Sequence, residues 1–173
     1  LEPDIADAPD AKELAETKGG ITFEHVTLEY VPGIRAVDDV SLVVEPGQLV
    51  ALVGPSGAGK TSLTYLVPRL YDVTEGRILV DGQDIRQVTQ ESLRRQIGVV
   101  TQETFLFHAS VADNLRFAKP SATEEEMEVA CQAAYISDVI HRLPDGFDTL
   151  VGERGYRLSV GEKQRLAIAR ILL

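Results

Sequence analysis

The stretch that decides the fold runs Leu49-Val50-Ala51-Leu52-Val53-Gly54-Pro55-Ser56-Gly57-Ala58-Gly59-Lys60-Thr61-Ser62. Its first five residues are apolar without alternation, which predicts a strand buried on both faces of a parallel sheet. Residues 54–61 fit G-x-x-x-x-G-K-[ST] in full, and a helical run over 61–67 follows directly. Strand, glycine-rich loop and helix, in that order, are the context in which this pattern cradles phosphate. At background residue frequencies, a chance match in a chain this long occurs roughly once in two hundred cases.

Each residue type follows from the chemistry of a polyphosphate. Gly57 and Gly59 let the backbone wrap closely, so that consecutive N–H groups point inward and the positive end of the following helix adds to their field. Lys60 is a mobile point charge for the β- and γ-phosphates, and the Thr61 hydroxyl suits the Mg²⁺ that bridges them. Gly54, Ser56, Ala58 and Ser62 complete the expected nucleotide-binding set. Such a loop binds nucleotide; it does not by itself cut it. Pro68, which lacks an N–H and clashes with the carbonyl of Thr64, predicts an end of the helix or a kink in it.

Upstream of the loop, residues 1–20 carry Glu2, Asp4, Asp7, Asp10, Glu13 and Glu16 with Pro3, Pro9 and a closing Gly19-Gly20, which reads as a linker entering a domain. Ile21 and Phe23 share one strand face, while Val26, Leu28 and Tyr30 continue one residue out of step, so a bulge is expected near His25. Val40, Leu42 and Val44 alternate again before the Glu45-Pro46-Gly47 turn. Downstream, Ile78 and Val80 alternate up to Asp81-Gly82, residues 92–96 look helical, and 97–100 form a second apolar run expected to be a buried strand. Thr123 with Glu126, and Ser159 with Glu162, are capping-box pairs. The first precedes a helical stripe of Met127, Ala130, Cys131 and Ala134, and the second precedes a helix expected over 163–173.

The chain has 173 residues, with 17 Lys and Arg against 27 Asp and Glu, a net charge of −10. Apolar residues make up 44 per cent and charged residues 25 per cent, which excludes wholesale disorder and fibrous repeats. The acidic balance argues against a nucleic-acid partner, because phosphate affinity there comes from clustered Lys and Arg. The single cysteine, Cys131, leaves no room for an internal disulfide or a Cys/His zinc site. No apolar run is long enough to span a membrane.

Other segments carry a family resemblance. Leu158-Ser159-Val160-Gly161-Glu162-Lys163-Gln164 resembles the LSGGQ signature of ABC-type ATPases and lies about a hundred residues after the phosphate loop. Gln102 follows an apolar run, as that family's Q-loop does, and Tyr30 stands where the family has its A-loop aromatic. Thr149-Leu150-Val151-Gly152-Glu153-Arg154-Gly155 looks like the extra loop of exporter-type members. Over residues 21–173 the chain therefore resembles a nucleotide-binding domain of an exporter-type ABC transporter.

The resemblance implies an α/β P-loop NTPase fold of the ABC ATPase type, with an antiparallel β subdomain and a helical subdomain. It implies a linker from a membrane domain over 1–20, a nucleotide-binding core with Walker A over 21–101, and the Q-loop and signature over 102–173. The family's Walker B strand with its Asp and catalytic Glu, its D-loop and its switch His would follow the signature helix, so the C-terminal part of the core is expected to be missing. It further implies ATP and Mg²⁺ as ligands, with Thr61 and Gln102 on the metal, Tyr30 stacked on adenine, and Lys60, Gln102, Ser159 and Gly161 serving hydrolysis. Ser159 and Gly161 would hold the γ-phosphate of nucleotide on a second, opposed nucleotide-binding domain. Gln102 and the Glu153-Arg154 loop would meet a membrane-spanning domain, on the cytoplasmic face of the membrane. The activity implied is ATP hydrolysis coupled to export, with this stretch alone binding ATP weakly and not hydrolysing it. A non-hydrolysing regulatory half of a heterodimeric transporter and a soluble ABC ATPase stay open as alternatives.

Val160 replaces the first glycine of the signature, and Glu162 replaces its glutamine. A carboxylate at the third helical position suits the cap, yet it would face a partner's γ-phosphate. Glu162→Gln is therefore expected to tighten nucleotide-driven dimerisation slightly, as read by sedimentation; unchanged or weaker association would contradict this.

Overall fold

A computed structural model describes residues 5–152 and 155–173. The chain divides into two compact units, one up to Ile97 and one from Gly98.

The first unit is built on an antiparallel four-stranded sheet in the order β2-β1-β3-β4, from β1 (Ile21–Val31), β2 (Ile34–Val44), β3 (Glu75–Val80) and β4 (Gln83–Asp84). The slip in apolar alternation has its cause in the backbone: the β1–β2 register shifts between Phe23 and Val26, where His25 adopts φ +49°. The bulge turns both Phe23 and Val26 into the core, where they are buried with Leu28, Ile78 and Val80. Helix α1 (Lys60–Leu66) adds Leu63 and Leu66 to this core and stops two residues before Pro68. Helix α2 (Gln90–Arg95) adds Leu93 and is N-capped by Thr89, whose side chain accepts from the Ser92 amide.

Residues 5–20 follow this unit through bonds to distant partners. The Lys12 amide donates to the Gln87 carbonyl at 3.0 Å, and the Thr89 amide returns a bond to the Lys12 carbonyl at 2.9 Å. The Leu14 amide donates to Ser92 Oγ at 2.9 Å, and the Leu14 side chain is buried. Asp81, at φ +46°, accepts from the amides of Lys18 at 2.5 Å and Gly20 at 2.8 Å. Burying one leucine is worth about 2 kcal/mol and one backbone hydrogen bond about 1 kcal/mol. Ordering each residue costs about 1 kcal/mol or more. No single anchor holds the segment, and the set acts together.

Two expectations from the sequence are corrected. Residues 49–53 form no strand: Leu49 is 98% and Val53 89% exposed. Residues 97–100 form none either, and Val99 and Val100 are exposed. An extended apolar run becomes a strand only when a neighbour supplies its ladder of hydrogen bonds, and among the described residues no strand pairs with either segment.

The second unit is mainly helical: α3 (Val111–Arg116), α4 (Glu124–Ala133), α5 (Ser137–His141) and α6 (Val160–Leu172), with a short antiparallel pair, β5 (Ala109–Ser110) and β6 (Leu150–Val151). Both capping boxes form, Thr123 with Glu126 on α4 and Ser159 with Glu162 on α6. The final helix starts at Val160, directly behind its cap. Val111, Leu115, Met127, Cys131, Ile136, Ile140 and Leu166 fill the core, and burial pushes the Cys131 thiol up to about 12. Among the described residues, no helix is long and apolar enough to cross a membrane.

The amides of Lys18 and Gly20 hold the Asp81 carboxyl below its ordinary 3.8. A carboxylate with a depressed pKa stabilises fully above that ordinary value, and its contribution is lost as pH falls through the lower folded-state value. Asp81→Asn is therefore expected to speed amide exchange at Lys18 and Gly20 about fivefold or more at neutral pH, and to flatten the acid dependence of that exchange. Equal exchange in both proteins would contradict the clamp.

Candidate nucleotide site

The site is built outward from Gly59. This residue is the N-cap of α1 and lies at φ +78°, a left-handed conformation that glycine adopts without penalty. Its α-carbon backs onto β2 so closely that an added Cβ would stand 2.2 Å from the Ala36 carbonyl oxygen. Gly57, at φ +81°, has open space beside it instead. One glycine thus fixes the loop to the sheet, and the other leaves room for a ligand.

Lys60 opens the helix, and its ammonium donates to the carbonyls of Gly54 at 2.9 Å and Pro55 at 2.7 Å. The tip therefore reaches back over its own loop, held by two neutral acceptors that a phosphate oxygen outcompetes electrostatically. Gly57, Ala58, Gly59 and Lys60 of the loop line a cavity of about 600 Å³ together with Arg35, Asp38, Ala51 and Leu52, while Gly54 and Ser56 lie outside its lining. Thr61 and Ser62 follow in the first turn of α1, adjoining that cavity in sequence but outside its lining. An ammonium, hydroxyls and glycine backbone that can be approached closely form a donor set that fits a magnesium-bound triphosphate.

Arg35 and Asp38 were not singled out in the sequence, yet both line this cavity. Arg35 Nη1 donates to Asp38 Oδ1 at 2.6 Å, and that bond, ahead of Coulombic attraction, raises the arginine above its ordinary value. The only signal was an Arg and an Asp three residues apart in β2, indistinguishable from a solvated pair. Tyr30 lies outside the cavity lining. It is half exposed and packs edge-on against Tyr71, centroids 4.9 Å apart at 82°.

The remaining candidates belong to the second unit. Ser159 caps α6: its amide donates to Glu162 Oε2 at 2.7 Å and its hydroxyl to the same oxygen at 2.8 Å. The Ser159 amide, then its hydroxyl, hold the Glu162 carboxyl below its usual range, so the serine proton is committed to a carboxylate. Gly161 and Gln102 are exposed. The Thr101 hydroxyl beside Gln102 donates to the Glu103 carbonyl at 2.7 Å. Glu153 and Arg154 lie outside the described residues. Among the described residues no cluster of His, Cys, Asp and Glu could hold a metal by itself.

A β subdomain carrying this loop, and a helical unit opening its last helix with a capped signature, define a phosphate-loop nucleotide-binding domain. The family follows from comparison. The model of the ABC transporter family matches residues 37–173, and the chain belongs to that family. It is 52% identical over 172 residues to human ATP-binding cassette sub-family B member 6, covering 99% of this chain and 20% of that protein. It is 51% identical over 170 residues to the mitochondrial iron-sulfur clusters transporter atm1 of Aspergillus fumigatus, covering 98% of this chain and 23% of the relative. A bacterial Atm1-family ABC exporter solved with ATP bound superposes with a TM-score of 0.92 at 46% identity, over 99% of this chain and 30% of that one. The chain thus spans less than a third of these relatives, and its fold is that of the exporter-type nucleotide-binding domain.

Gly59→Ala combines a positive φ with a backbone collision. We expect it to destabilise the first unit by about 1–3 kcal/mol, read as a lower urea midpoint, and to weaken nucleotide binding. An unchanged midpoint would mean that the loop does not rest on Ala36.

Proposed function

We propose that this chain is the ATP-binding module of a membrane exporter, and that it hydrolyses ATP when paired with a second such module. The observation that carries the reading is the residue 54–61 loop seated on Ala36 with Lys60 folded over its mouth, in a chain of this family.

In this reading the Lys60 ammonium leaves the Gly54 and Pro55 carbonyls for the β- and γ-phosphates, while the amides of residues 57–61 follow the phosphate oxygens. The Gly54, Ser56, Ala58 and Ser62 positions complete the wall of that cradle. The Tyr30 ring, touched on one side by Tyr71, offers a face to adenine, a stacking contact worth about 1–3 kcal/mol. The Thr61 hydroxyl and the Gln102 side-chain oxygen would hold Mg²⁺, which when bound neutralises charge developing on the β- and γ-oxygens. Gln102 also orients the attacking water. Ser159 and the Gly161 amide take the γ-phosphate of the nucleotide held by the opposed module, so a complete site needs two copies or a related partner.

The water's proton acceptor and the metal's further ligand are residues the family places after the signature helix. Residues 1–173 alone are therefore expected to bind ATP weakly and not turn it over. The segment before Ile21 would arrive from a membrane-spanning domain. That domain would contact the Gln102 loop and the Glu153-Arg154 loop, and the module would face the cytoplasm or the matrix. Export then follows from closure of two modules on ATP. The acidic chain is not expected to bind nucleic acid.

Calorimetry with Mg²⁺-ATP tests this on the chain and on a form extended by roughly sixty residues, a usual domain size. Lys60→Ala is expected to weaken binding about a hundredfold in both, two charge-assisted phosphate contacts being lost, and turnover is expected only in the extended form. Binding indifferent to Lys60→Ala would overturn the reading.

A further inference from the structure

Two polar side chains of the second unit, the buried Asn114 and the half-buried Arg170, converge on residues 105–110, a segment that begins three residues after Gln102 and ends in β5. Asn114, fully buried on α3, takes both main-chain groups of Phe107: its Oδ1 accepts the Phe107 amide at 2.9 Å and its Nδ2 donates to the Phe107 carbonyl at 3.0 Å. The same Nδ2 donates to the Ser110 carbonyl at 3.0 Å. Asn114 thus does for Phe107 what a neighbouring strand would do.

Arg170, in the last turn of α6, closes the arrangement. Its Nη2 donates to Asn114 Oδ1 at 3.0 Å, its Nη1 reaches the Phe105 carbonyl at 3.4 Å, and its guanidinium lies 5.9 Å from the Phe107 ring centroid. Among the described residues Arg170 forms no ion pair, its Nε is buried without a partner, and burial lowers it from its ordinary value. A charge desolvated among neutral oxygens is costly, and an apolar side chain of similar volume would pack there at lower cost. From a third side, Gly152 lies so near that a Cβ would meet the Phe107 carbonyl oxygen at 2.9 Å. The segment cannot shift without moving α3, α6 or the turn after β6.

We infer that Arg170 and Asn114 are positioning residues that set the Gln102 loop according to the position of the signature helix. The helix N-capped by Ser159 carries Arg170 on its far end, about 16 Å along the axis at 1.5 Å per residue. Contact of Ser159 and Gly161 with nucleotide displaces that rod as a unit. Arg170 then passes the displacement to the Phe105 carbonyl, three residues from Gln102, while Asn114 keeps the Phe107 peptide from absorbing it. The inference rests on the function proposed above for Gln102 and Ser159.

The test is Mg²⁺-ATP turnover by the intact protein that carries this chain, with Arg170→Lys and Arg170→Met compared to wild type and to Lys60→Ala. A lysine keeps the charge but cannot bridge the Phe105 and Asn114 oxygens together. A methionine keeps much of the volume and removes the buried charge. Both are expected to lower kcat about tenfold or more, with KM for ATP within about twofold, while the melting temperature of Arg170→Met stays level or rises. Amides 103–107 are expected to lose the nucleotide-dependent change in hydrogen exchange shown by wild type. A kcat that is unchanged, or that falls only with the folded fraction, overturns the inference. Turnover that survives Lys60→Ala defeats the underlying function instead, and the two failures are told apart.

Discussion

Backbone meets backbone at Gly59, closer to the Ala36 carbonyl than any side chain allows, and the shape of the phosphate loop depends on that approach. Ala36 is held in β2, β2 is zipped to β1, and the β1 bulge at His25 turns Phe23 and Val26 inward to the core that also receives Leu63 and Leu66 of α1. Loop, sheet and helix are thereby one packed object. Lys60 is presented at the first position of its helix because Gly59 has already turned the chain. Its ammonium rests on the Gly54 and Pro55 carbonyls, so in the function proposed nucleotide binding would be an exchange of acceptors and not the filling of a bare cationic hole.

Much of this was legible in the residues. The out-of-step alternation after Phe23 marked the bulge, because a strand side chain changes face when one residue is added. The two capping boxes were legible because their bonds span only three residues. Residues 49–53 and 97–100 were misjudged for the converse reason: an apolar run records that a segment suits a ladder, and the ladder itself belongs to a partner far away in sequence. Composition reads residues 1–20 as a linker and carries no sign of bonds such as Leu14 to Ser92, which join positions 78 apart. Arg170 and Asn114 looked like ordinary polar positions on helices. Only burial shows them to be expensive, and the alternation of their neighbours carried no trace of it.

The two units handle charge in different ways. In the first, a carboxylate or carbonyl meets each exposed cation near the loop, as Asp38 does for Arg35, so the cavity is not a field of bare positive charge. In the second, the helix carrying the signature has its N-terminus closed by its own Glu162, whose carboxylate holds both the amide and the hydroxyl of Ser159. In the function proposed, a phosphate reaching Ser159 would have to take the serine proton from that carboxylate, in a chain whose net charge is already −10. At both places the polar groups are satisfied from within the chain.

The most direct measurement is a structure of the chain, by crystallography or amide chemical shifts, with magnesium and an ATP analogue that cannot be cleaved. Lys60 Nζ is expected to leave the Gly54 and Pro55 carbonyls for the phosphate tail, and the amides of residues 57–61 to turn onto it while Gly59 stays against Ala36. A loop that keeps its lysine tied to those carbonyls, with the analogue elsewhere or absent, would contradict this.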